Sequence, residues 1–182
     1  MKEYILQVKK IIPSKFCEKI ISYFDHSYDD ALTVGSSGAN KDIRNCVTRS
    51  LLETKSFGEK ICLNAIKEKI FHCVDHYKKK HDIRINKISQ LDLLKYDANE
   101  FKAGYDFHQD FGSKVTERHL SISICLNNEY EGGEFVFDIP EGHYTIPQNV
   151  GDAVIFPSNF MFPHQVNKIT KGTRYALIGW VI

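Results

Sequence analysis

The 182-residue sequence predicts an α+β fold in which helices precede a core of short β-strands. Two helical patterns of apolar residues occupy residues 1–82, whereas residues 83–182 contain short segments rich in β-branched and aromatic residues. Glycine, asparagine and proline separate these segments, and such a series of short strands is typical of a sandwich or jelly roll. We expect one domain, with helical support and a mobile loop in residues 1–82 and a jelly-roll core in residues 83–182.

The first part of the chain is predicted to form a strand, a helix and a long loop. The strand covers residues 4–12, and the helix begins after an N-cap at Ser14 and ends near His26. Residues 28–45 are rich in turn-forming residues, so they are predicted to form a loop that acts as a lid, binds a ligand or is disordered. A short strand over residues 47–52 is expected to follow.

A longer second helix is predicted between a capping box at Ser56 and Glu59 and a cationic end at Lys78–Lys80. His72 and His76 stand one turn apart and could clamp a metal, but the glutamate of a zinc-protease motif is missing, which favours a solvated helix face. The predicted apolar stripe consists of Phe57, Ile61, Ala65, Ile66, Ile70, Val74 and Tyr77.

The second half of the chain is predicted to consist of β-structure. Gly132 and Gly133 are interpreted as a turn between strands, because no helix start follows them that could hold a phosphate. The predicted strands cover residues 91–96, 105–111, 119–126, 134–137, 142–146, 153–157, 164–166 and 173–182.

Composition limits the cellular setting and the partners. The 24 basic and 23 acidic residues nearly balance, so the sequence does not favour attraction to nucleic acid or to an anionic membrane. The N-terminus lacks the pattern of a signal peptide, and no apolar run is long enough to span a bilayer. The five cysteines include no CxxC pair, which favours free thiols in a reducing cytoplasm. The oligomeric state cannot be inferred from these patterns.

Three residues of the β-rich half have the types and order of a metal-binding face. His108 and Asp110 stand two positions apart, and because side chains alternate along a strand, both would point to one side. With His164 from a distant strand they would form a two-histidine, one-carboxylate face, which leaves three positions open and suits non-haem Fe(II). Taken singly, His108 and Asp110 are also typical of a solvated strand edge, and His164 of a core residue.

Arg174 begins an otherwise apolar strand and indicates a second kind of site. Alternation places Arg174, Ala176, Ile178 and Trp180 on one face, which we expect to point to the interior. A buried arginine needs an anion, and no carboxylate nearby in the sequence is an obvious partner. A bound dicarboxylate would explain this arginine, so the four residues together indicate an iron- and 2-oxoglutarate-dependent oxygenase.

Residues 91–182 resemble the prolyl 4-hydroxylase family of the 2-oxoglutarate/Fe(II)-dependent dioxygenases. The resemblance covers the C-terminal half densely and in the family's order, which is more specific than any single motif. It implies a double-stranded β-helix (jelly roll) with N-terminal supporting helices. The matching residues are Tyr96, Gly104–Asp110, Arg118–Ser121, Tyr130–Phe135, Gly151–Ser158, His164–Val166 and Lys171–Tyr175.

The resemblance also implies roles for single residues. It makes His108, Asp110 and His164 the iron ligands and gives Arg174 the distal carboxylate of 2-oxoglutarate. Tyr96 would hydrogen-bond the same carboxylate, with a core aromatic as the alternative.

Tyr105 and Trp180 would contact substrate, with core packing as the alternative for Trp180. The implied cofactors are Fe(II), 2-oxoglutarate as cosubstrate and O2, with ascorbate as a possible reductant.

Departures from the family's pattern narrow the activity. Phe135 occupies a position that is threonine in many relatives, so one hydrogen bond to the cosubstrate should be absent. Cys125 replaces an aromatic residue. Asp110 favours hydroxylation, since related halogenases have alanine or glycine there. Trp180 stands where alkylation-repair relatives have a second arginine, which disfavours nucleic-acid demethylation.

The resemblance therefore predicts an oxidoreductase that hydroxylates an unactivated C–H bond and releases succinate and CO2. A proline in a peptide or protein is the expected substrate, and a free amino acid or another small molecule is the alternative. Residues 28–45 and 111–117 could close over the substrate, and Arg44 and Arg49 could contribute to its binding or be ordinary surface charges. A non-catalytic jelly-roll binding protein and a cupin-type isomerase are further alternatives, although neither explains Asp110 together with Arg174.

Overall fold

The structure is a computed structural model that describes residues 1–33, 38–85, 87–112 and 115–182. A short 3-10 helix (Lys2–Tyr4) precedes two α-helices, α1 (Ser14–Phe24) and α2 (Phe57–His81). The strands are β1 (Leu6–Val8), β2 (Asp29–Asp30), β3 (Arg44–Asn45), β4 (Val47–Ser50), β5 (Ile88–Asp97), β6 (Gly104–His108), β7 (Leu120–Cys125), β8 (Tyr130–Gly132), β9 (Phe135–Ile139), β10 (Gly142–Ile146), β11 (Ala153–Pro157), β12 (His164–Val166) and β13 (Ile169–Val181).

The strands form two antiparallel sheets, which confirms the predicted α+β class. The larger sheet has the order β1-β11-β7-β13-β5-β4-β2, with β8 paired to one end of β13, and the smaller sheet has the order β10-β9-β12-β6-β3. Neighbours in both sheets are mostly distant in sequence, as in a jelly roll. Residues before position 82 supply β1 to β4 as well as both helices, so the N-terminal part extends both sheets.

Apolar residues pack on both faces of the larger sheet. On β5, Leu91 and Leu93 belong to the cluster that includes the helices, whereas Leu94 and Tyr96 belong to a second cluster with residues of the smaller sheet. Strand alternation sends these side chains to opposite faces. The helices therefore cover the outer face of the larger sheet, and the inner face packs towards the smaller sheet.

The first helix and the cap of the second differ slightly from the prediction. Pro13, not Ser14, is the N-cap of α1, and the helix ends at Phe24. Ser56 is the N-cap of α2, but its side chain makes no capping hydrogen bond. The Glu59 carboxylate accepts hydrogen bonds from Thr54 and Arg49. These bonds, together with one from the Ser56 backbone that a capping box predicts, lower the pKa of Glu59.

The predicted apolar stripe of α2 is partly wrong. Phe57 and Ile61 are 79% and 56% exposed. The pattern omitted the cysteines, which behave as small apolar residues, and this shifted the predicted face by part of a turn. The apolar residues that α2 buries are Cys62, Leu63, Ile66, Ile70, Cys73, Val74 and Tyr77.

Most strand predictions are confirmed, and several bounds are corrected. The predicted strands over residues 142–146, 153–157 and 164–166 have the observed bounds. The strand predicted over residues 4–12 is only β1, and the one over residues 105–111 ends at His108 in β6. Strand β8 was not predicted, because it is only three residues long and ends on Gly132, which the prediction assigned to a turn.

The predicted loop over residues 28–45 contains β2 and β3 at its ends. Residues 34–37 lie outside the described residues, so its proposed role as a lid remains a prediction. All five cysteines are free and buried. Neither α1 nor α2 combines the length and the apolar character needed to cross a membrane.

Candidate metal and cosubstrate site

The smaller sheet brings His108, Asp110 and His164 together. His164 begins β12 directly opposite His108, the last residue of β6. Asp110 lies in the bend after β6, so the predicted strand alternation does not apply to it, and the bend turns its carboxylate towards the histidines. The distances from Asp110 Oδ1 to His108 Nε2 and from Asp110 Oδ2 to His164 Nε2 are 3.8 and 3.6 Å. Within the described chain this is the only group of three possible metal ligands.

Both imidazole rings are oriented for a metal. Nδ1 of His108 donates to the backbone oxygen of Asp106 at 2.8 Å, and Nδ1 of His164 donates to that of Phe162 at 3.1 Å. A proton on Nδ1 leaves the lone pair of Nε2 facing the cluster. Burial and the neighbouring His164 hold the pKa of His108 well below its usual range, and burial lowers the pKa of His164. Neutral imidazoles of this kind are ligands for iron.

The third possible ligand, Asp110, is ionised and fixed in place. Burial alone would raise its pKa, but the net shift is downward, and a hydrogen bond from Ser121 contributes to it. Ser121 Oγ donates to Asp110 Oδ2 at 2.5 Å and lies 2.8 Å from Ser158 Oγ. Two imidazole nitrogens and one carboxylate oxygen therefore face a common point, and this donor set suits Fe(II).

Aromatic rings enclose the histidines. The ring of Tyr105 stacks on His108 at a centroid separation of 3.4 Å, and that of Phe135 stacks on His164 at 5.2 Å. Phe135 thus fills space beside the site, and its ring has no hydrogen-bonding group.

Arg174 is a buried cation without a protein carboxylate. It is 1% exposed, and no acidic group of the described chain lies within 4.0 Å of it. Nη2 donates to Gln148 Oε1 at 3.3 Å, while Nε has no hydrogen-bond partner. A β-carbon added at Gly133 would lie 2.9 Å from Arg174 Cδ, so glycine makes room for this side chain. A buried guanidinium in this state can hold an anionic ligand.

Tyr96 lies beside Arg174. The two residues are opposite each other in the pairing of β5 with β13, and the guanidinium carbon lies 5.5 Å from the tyrosine ring centroid. Tyr96 is 1% exposed. Burial raises the pKa of its hydroxyl, so the group stays protonated and can donate to a carboxylate.

One cavity of about 270 Å³ joins Arg174 to the three possible metal ligands and extends beyond them. Tyr105 and Trp180 line this cavity, and the Arg118 guanidinium lies 3.6 Å from the Trp180 ring centroid. Arg44 also lines it, whereas Arg49 lies elsewhere and pairs with Glu59 at 2.6 Å.

Most of the buried side-chain polar atoms that lack a hydrogen-bond partner in the described chain line this cavity. Natural proteins leave few buried polar atoms without a partner. Several such atoms in one cavity therefore indicate a site for polar ligands. The unpartnered atoms that line the cavity are Arg44 Nε, Thr48 Oγ1, Asp92 Oδ1, Arg174 Nε and Trp180 Nε1.

Sequence reasoning missed several residues of this site. Ser121 was noticed only as part of a matching block, and Gln148, Thr48, Asp92 and Arg118 were given no role. Their contacts come from strands and loops far apart in sequence. His72 and His76, by contrast, stay on an exposed helix face with ring centroids 4.9 Å apart.

Comparison with known proteins finds a matching family model and several related sequences. A family model described as the 2OG-Fe(II) oxygenase superfamily matches residues 91–182. A PKHD-type hydroxylase of Psychrobacter sp. is 35% identical over 95 residues, covering 47% of this chain and 36% of that protein. A PKHD-type hydroxylase of Crocosphaera subtropica is 30% identical over 130 residues, covering 71% of this chain and 55% of that protein. The chain thus spans about half or less of these two relatives.

Solved structures share the fold over nearly the whole chain. A prolyl hydroxylase of Trichoplax adhaerens, in complex with a peptide fragment of the hypoxia inducible factor oxygen degradation domain, superposes with a TM-score of 0.78 at 17% identity. That superposition covers 99% of this chain and 84% of the other. A Pseudomonas putida prolyl-4-hydroxylase gives a TM-score of 0.70 at 17% identity and covers 98% and 91% of the two chains. The predicted jelly-roll fold is confirmed.

Proposed function

The chain belongs to the 2OG-Fe(II) oxygenase superfamily, whose enzymes use Fe(II), 2-oxoglutarate and O2, and we propose that His108, Asp110 and His164 bind the iron. The observation that carries this proposal is the convergence of two neutral imidazoles and one ionised carboxylate beside a cavity. Three protein ligands on one face leave positions for the cosubstrate and for O2.

We further propose that Arg174 and Tyr96 bind the distal carboxylate of 2-oxoglutarate. The dicarboxylate would supply the anion that this buried guanidinium lacks in the protein, and Nε and the tyrosine hydroxyl would donate hydrogen bonds to it. Gln148 would hold the other side of the guanidinium in position. This arrangement fixes the keto acid in one register relative to the metal ligands.

When bound, iron and 2-oxoglutarate supply the oxidising chemistry: O2 and the keto acid yield succinate, CO2 and a hydroxylated C–H bond. The protein's own residues position the reactants and exclude water. Tyr105 and Phe135 cover the two histidine rings, while the buried strand faces line the cavity between the metal ligands and Arg174. Ascorbate as a reductant is part of the proposal.

We infer that the substrate is a proline of a peptide or protein, with Tyr105 and Trp180 contacting it. Support comes from the prolyl hydroxylases that share the fold, one of which is complexed with a peptide. The half-buried Arg44 and the buried Asp92 also line the cavity, which favours a free amino acid or another small polar molecule as a second candidate.

The proposal is tested by adding Fe(II) and then 2-oxoglutarate to the metal-free protein without oxygen. Wild type should develop the visible charge-transfer band of an iron-chelated keto acid, and His164→Ala should not. His76→Ala, on the exposed face of α2, is the matched control and should keep the band. A folded, iron-loaded wild type without the band would exclude the cosubstrate site. Peptides containing proline, assayed for hydroxyproline by mass spectrometry, then test the substrate.

A further inference from the structure

The cavity has a buried carboxylate at the end remote from Arg174. Asp92 is 5% exposed and lines the cavity. Its Oδ2 accepts a hydrogen bond from Gln90 Nε2 at 2.5 Å, whereas its Oδ1 has no partner in the described chain. A buried carboxylate with one unpartnered oxygen is costly, so its presence beside a ligand cavity calls for an explanation.

Asp92 does not belong to the cosubstrate end of the cavity. Tyr96 is opposite Arg174 in the pairing of β5 with β13, and Asp92 is opposite Ile178. Four residues along a strand separate Asp92 from Tyr96 by about 13 Å between α-carbons. Alternation places both side chains on the inward face. Asp92 therefore faces the part of the cavity that 2-oxoglutarate held by Arg174 leaves to the substrate.

Neither nearby arginine forms an ion pair with Asp92, although the charges of Arg44 and Arg118 both act to lower its pKa. Arg118 donates to Gln90 Oε1 at 2.7 Å and to the backbone oxygen of Asp110 at 3.2 Å, and it stacks on Trp180. Gln90 thus stands between Arg118 and Asp92 and prevents a direct ion pair.

Arg44 donates to the backbone oxygen of Leu32 at 2.6 Å and lies over the Tyr105 ring. Within the described chain no cation lies within 4.0 Å of Asp92.

Other unpartnered atoms in the cavity indicate which hydrogen-bond donors and acceptors a ligand beside Asp92 must carry. Thr48 Oγ1 is buried without a partner, and Thr48 is diagonal to Asp92 across the pairing of β4 with β5. Arg44 Nε and Trp180 Nε1 are unpartnered donors in the same cavity. A ligand that satisfies this set carries a donor, preferably a cation, for Asp92 and an oxygen acceptor for the two donors.

We propose that Asp92, with the Thr48 hydroxyl as a second acceptor, binds a protonated amine of the substrate. This rests on the proposed function, because it assigns Arg174 to the cosubstrate. Burial raises the pKa of Asp92 to about 6, which is still below neutral pH. The carboxylate is therefore mainly ionised at pH 7, and its burial makes a cationic partner favourable. The amine belongs either to a free amino acid, whose carboxylate then reaches Arg44, or to a lysine side chain of a peptide.

Matched ligands test this inference and distinguish the two sources. Calorimetry without oxygen, on protein loaded with Fe(II) and 2-oxoglutarate and on unloaded protein, compares L-proline with tetrahydrofuran-2-carboxylate. A second pair is acetyl-lysyl-proline amide and acetyl-norleucyl-proline amide. Within at least one pair, wild type should bind the amine roughly 10- to 100-fold more tightly. The pair that shows the preference identifies the source of the amine.

Asp92→Asn should abolish the preference while the neutral ligand binds as before. Glu53→Gln removes a carboxylate that also acts on Asp92 but is exposed and outside the cavity, so this control should keep the preference. Should Asp92→Asn fail to fold, Thr48→Val takes its place and should reduce the preference severalfold. No preference in either wild-type pair, or a preference that survives these variants, overturns the inference. Because affinity is measured in unloaded protein too, a missing charge-transfer band counts only against the proposed function.

Discussion

Asp110 is held by a pair of hydrogen-bonded serines. Ser121 Oγ donates to Oδ2 of the carboxylate and is itself in contact with Ser158 Oγ. All three side chains are at most 3% exposed, so water does not compete for these hydrogen bonds. A ligand carboxylate oriented in this way loses little freedom when a metal binds, which makes the serine pair part of the affinity for iron.

Replacing Ser121 with alanine should weaken Fe(II) binding roughly 10- to 100-fold, because Asp110 loses the donor that orients it. Titration with Fe(II) in the absence of oxygen measures this change. Ser158→Ala, which removes only the more distant hydroxyl, should have a smaller effect. Equal affinity of wild type and Ser121→Ala would mean that the bend after β6 alone orients the carboxylate.

The residues of the site differ in how far the sequence could predict them. His108, Asp110 and His164 could be singled out because they have the residue types and order of a metal-binding face. Arg174 could be singled out because an arginine is unusual on an apolar strand. Ser121 could not, since a serine on a buried strand has many roles and its contact with Asp110 depends on the tertiary fold. The site was therefore predictable where residue type carries the chemistry.

At the scale of the elements, β5 and β13 separate two chemical environments. Leu93 and Leu177 face the helices, while Tyr96 and Arg174 face the cavity. Residues 176–181 of β13 are buried on both faces and read as a continuous apolar run, whereas β5 also contains Gln90, Asp92 and Lys95. Turn residues gave the bounds of β10 to β12, whereas the face of α2 was mispredicted because its cysteines were not counted as apolar.

Leu177→Ala should lower the free energy of unfolding by about 2–5 kcal/mol, because Leu177 is fully buried between β13 and the helices. Urea denaturation measures this loss. The affinity of the folded protein for 2-oxoglutarate should not change, since the side chain faces away from the cavity. Ile61→Ala is the control on exposed helix surface and should change stability by only about 0.5 kcal/mol. A loss for Leu177→Ala as small as that of the control would contradict the assigned packing.

At the scale of the molecule, several buried charged or titratable side chains, which are costly to bury, line one cavity. Arg174, Asp92, Asp110 and His164 are all at most 5% exposed, and all line the same cavity. Two of these side chains, Arg174 and Asp92, have an unpartnered atom, so the ligand-free fold tolerates groups that destabilise it. Organisation as a single domain and a cytoplasmic location remain predictions.

If Arg174 is a buried charge without a partner, replacing it should not lower the melting temperature but should remove the stabilisation by 2-oxoglutarate. Without 2-oxoglutarate, Arg174→Met should melt at the same temperature as wild type or higher, because a buried unpaired charge is replaced by an apolar chain. Saturating 2-oxoglutarate, at about 100 times Kd, should stabilise wild type by about 2.7 kcal/mol and the variant not at all. Thermal denaturation of the metal-loaded proteins measures both effects. A ligand-free variant that melts well below wild type would show that Arg174 is instead a structural residue.

Because Arg174 and Trp180 lie on the single strand β13, the length of the reaction chamber is set by the backbone pitch. The six residue steps from Arg174 to Trp180 span about 20 Å, and side-chain changes cannot alter that span. Inserting one residue between Ala176 and Ile178 would turn every later side chain to the opposite face. A one-residue insertion would therefore keep Trp180 facing the cavity only if a β-bulge absorbed it, and β13 already contains such a register shift between Trp180 and Val181.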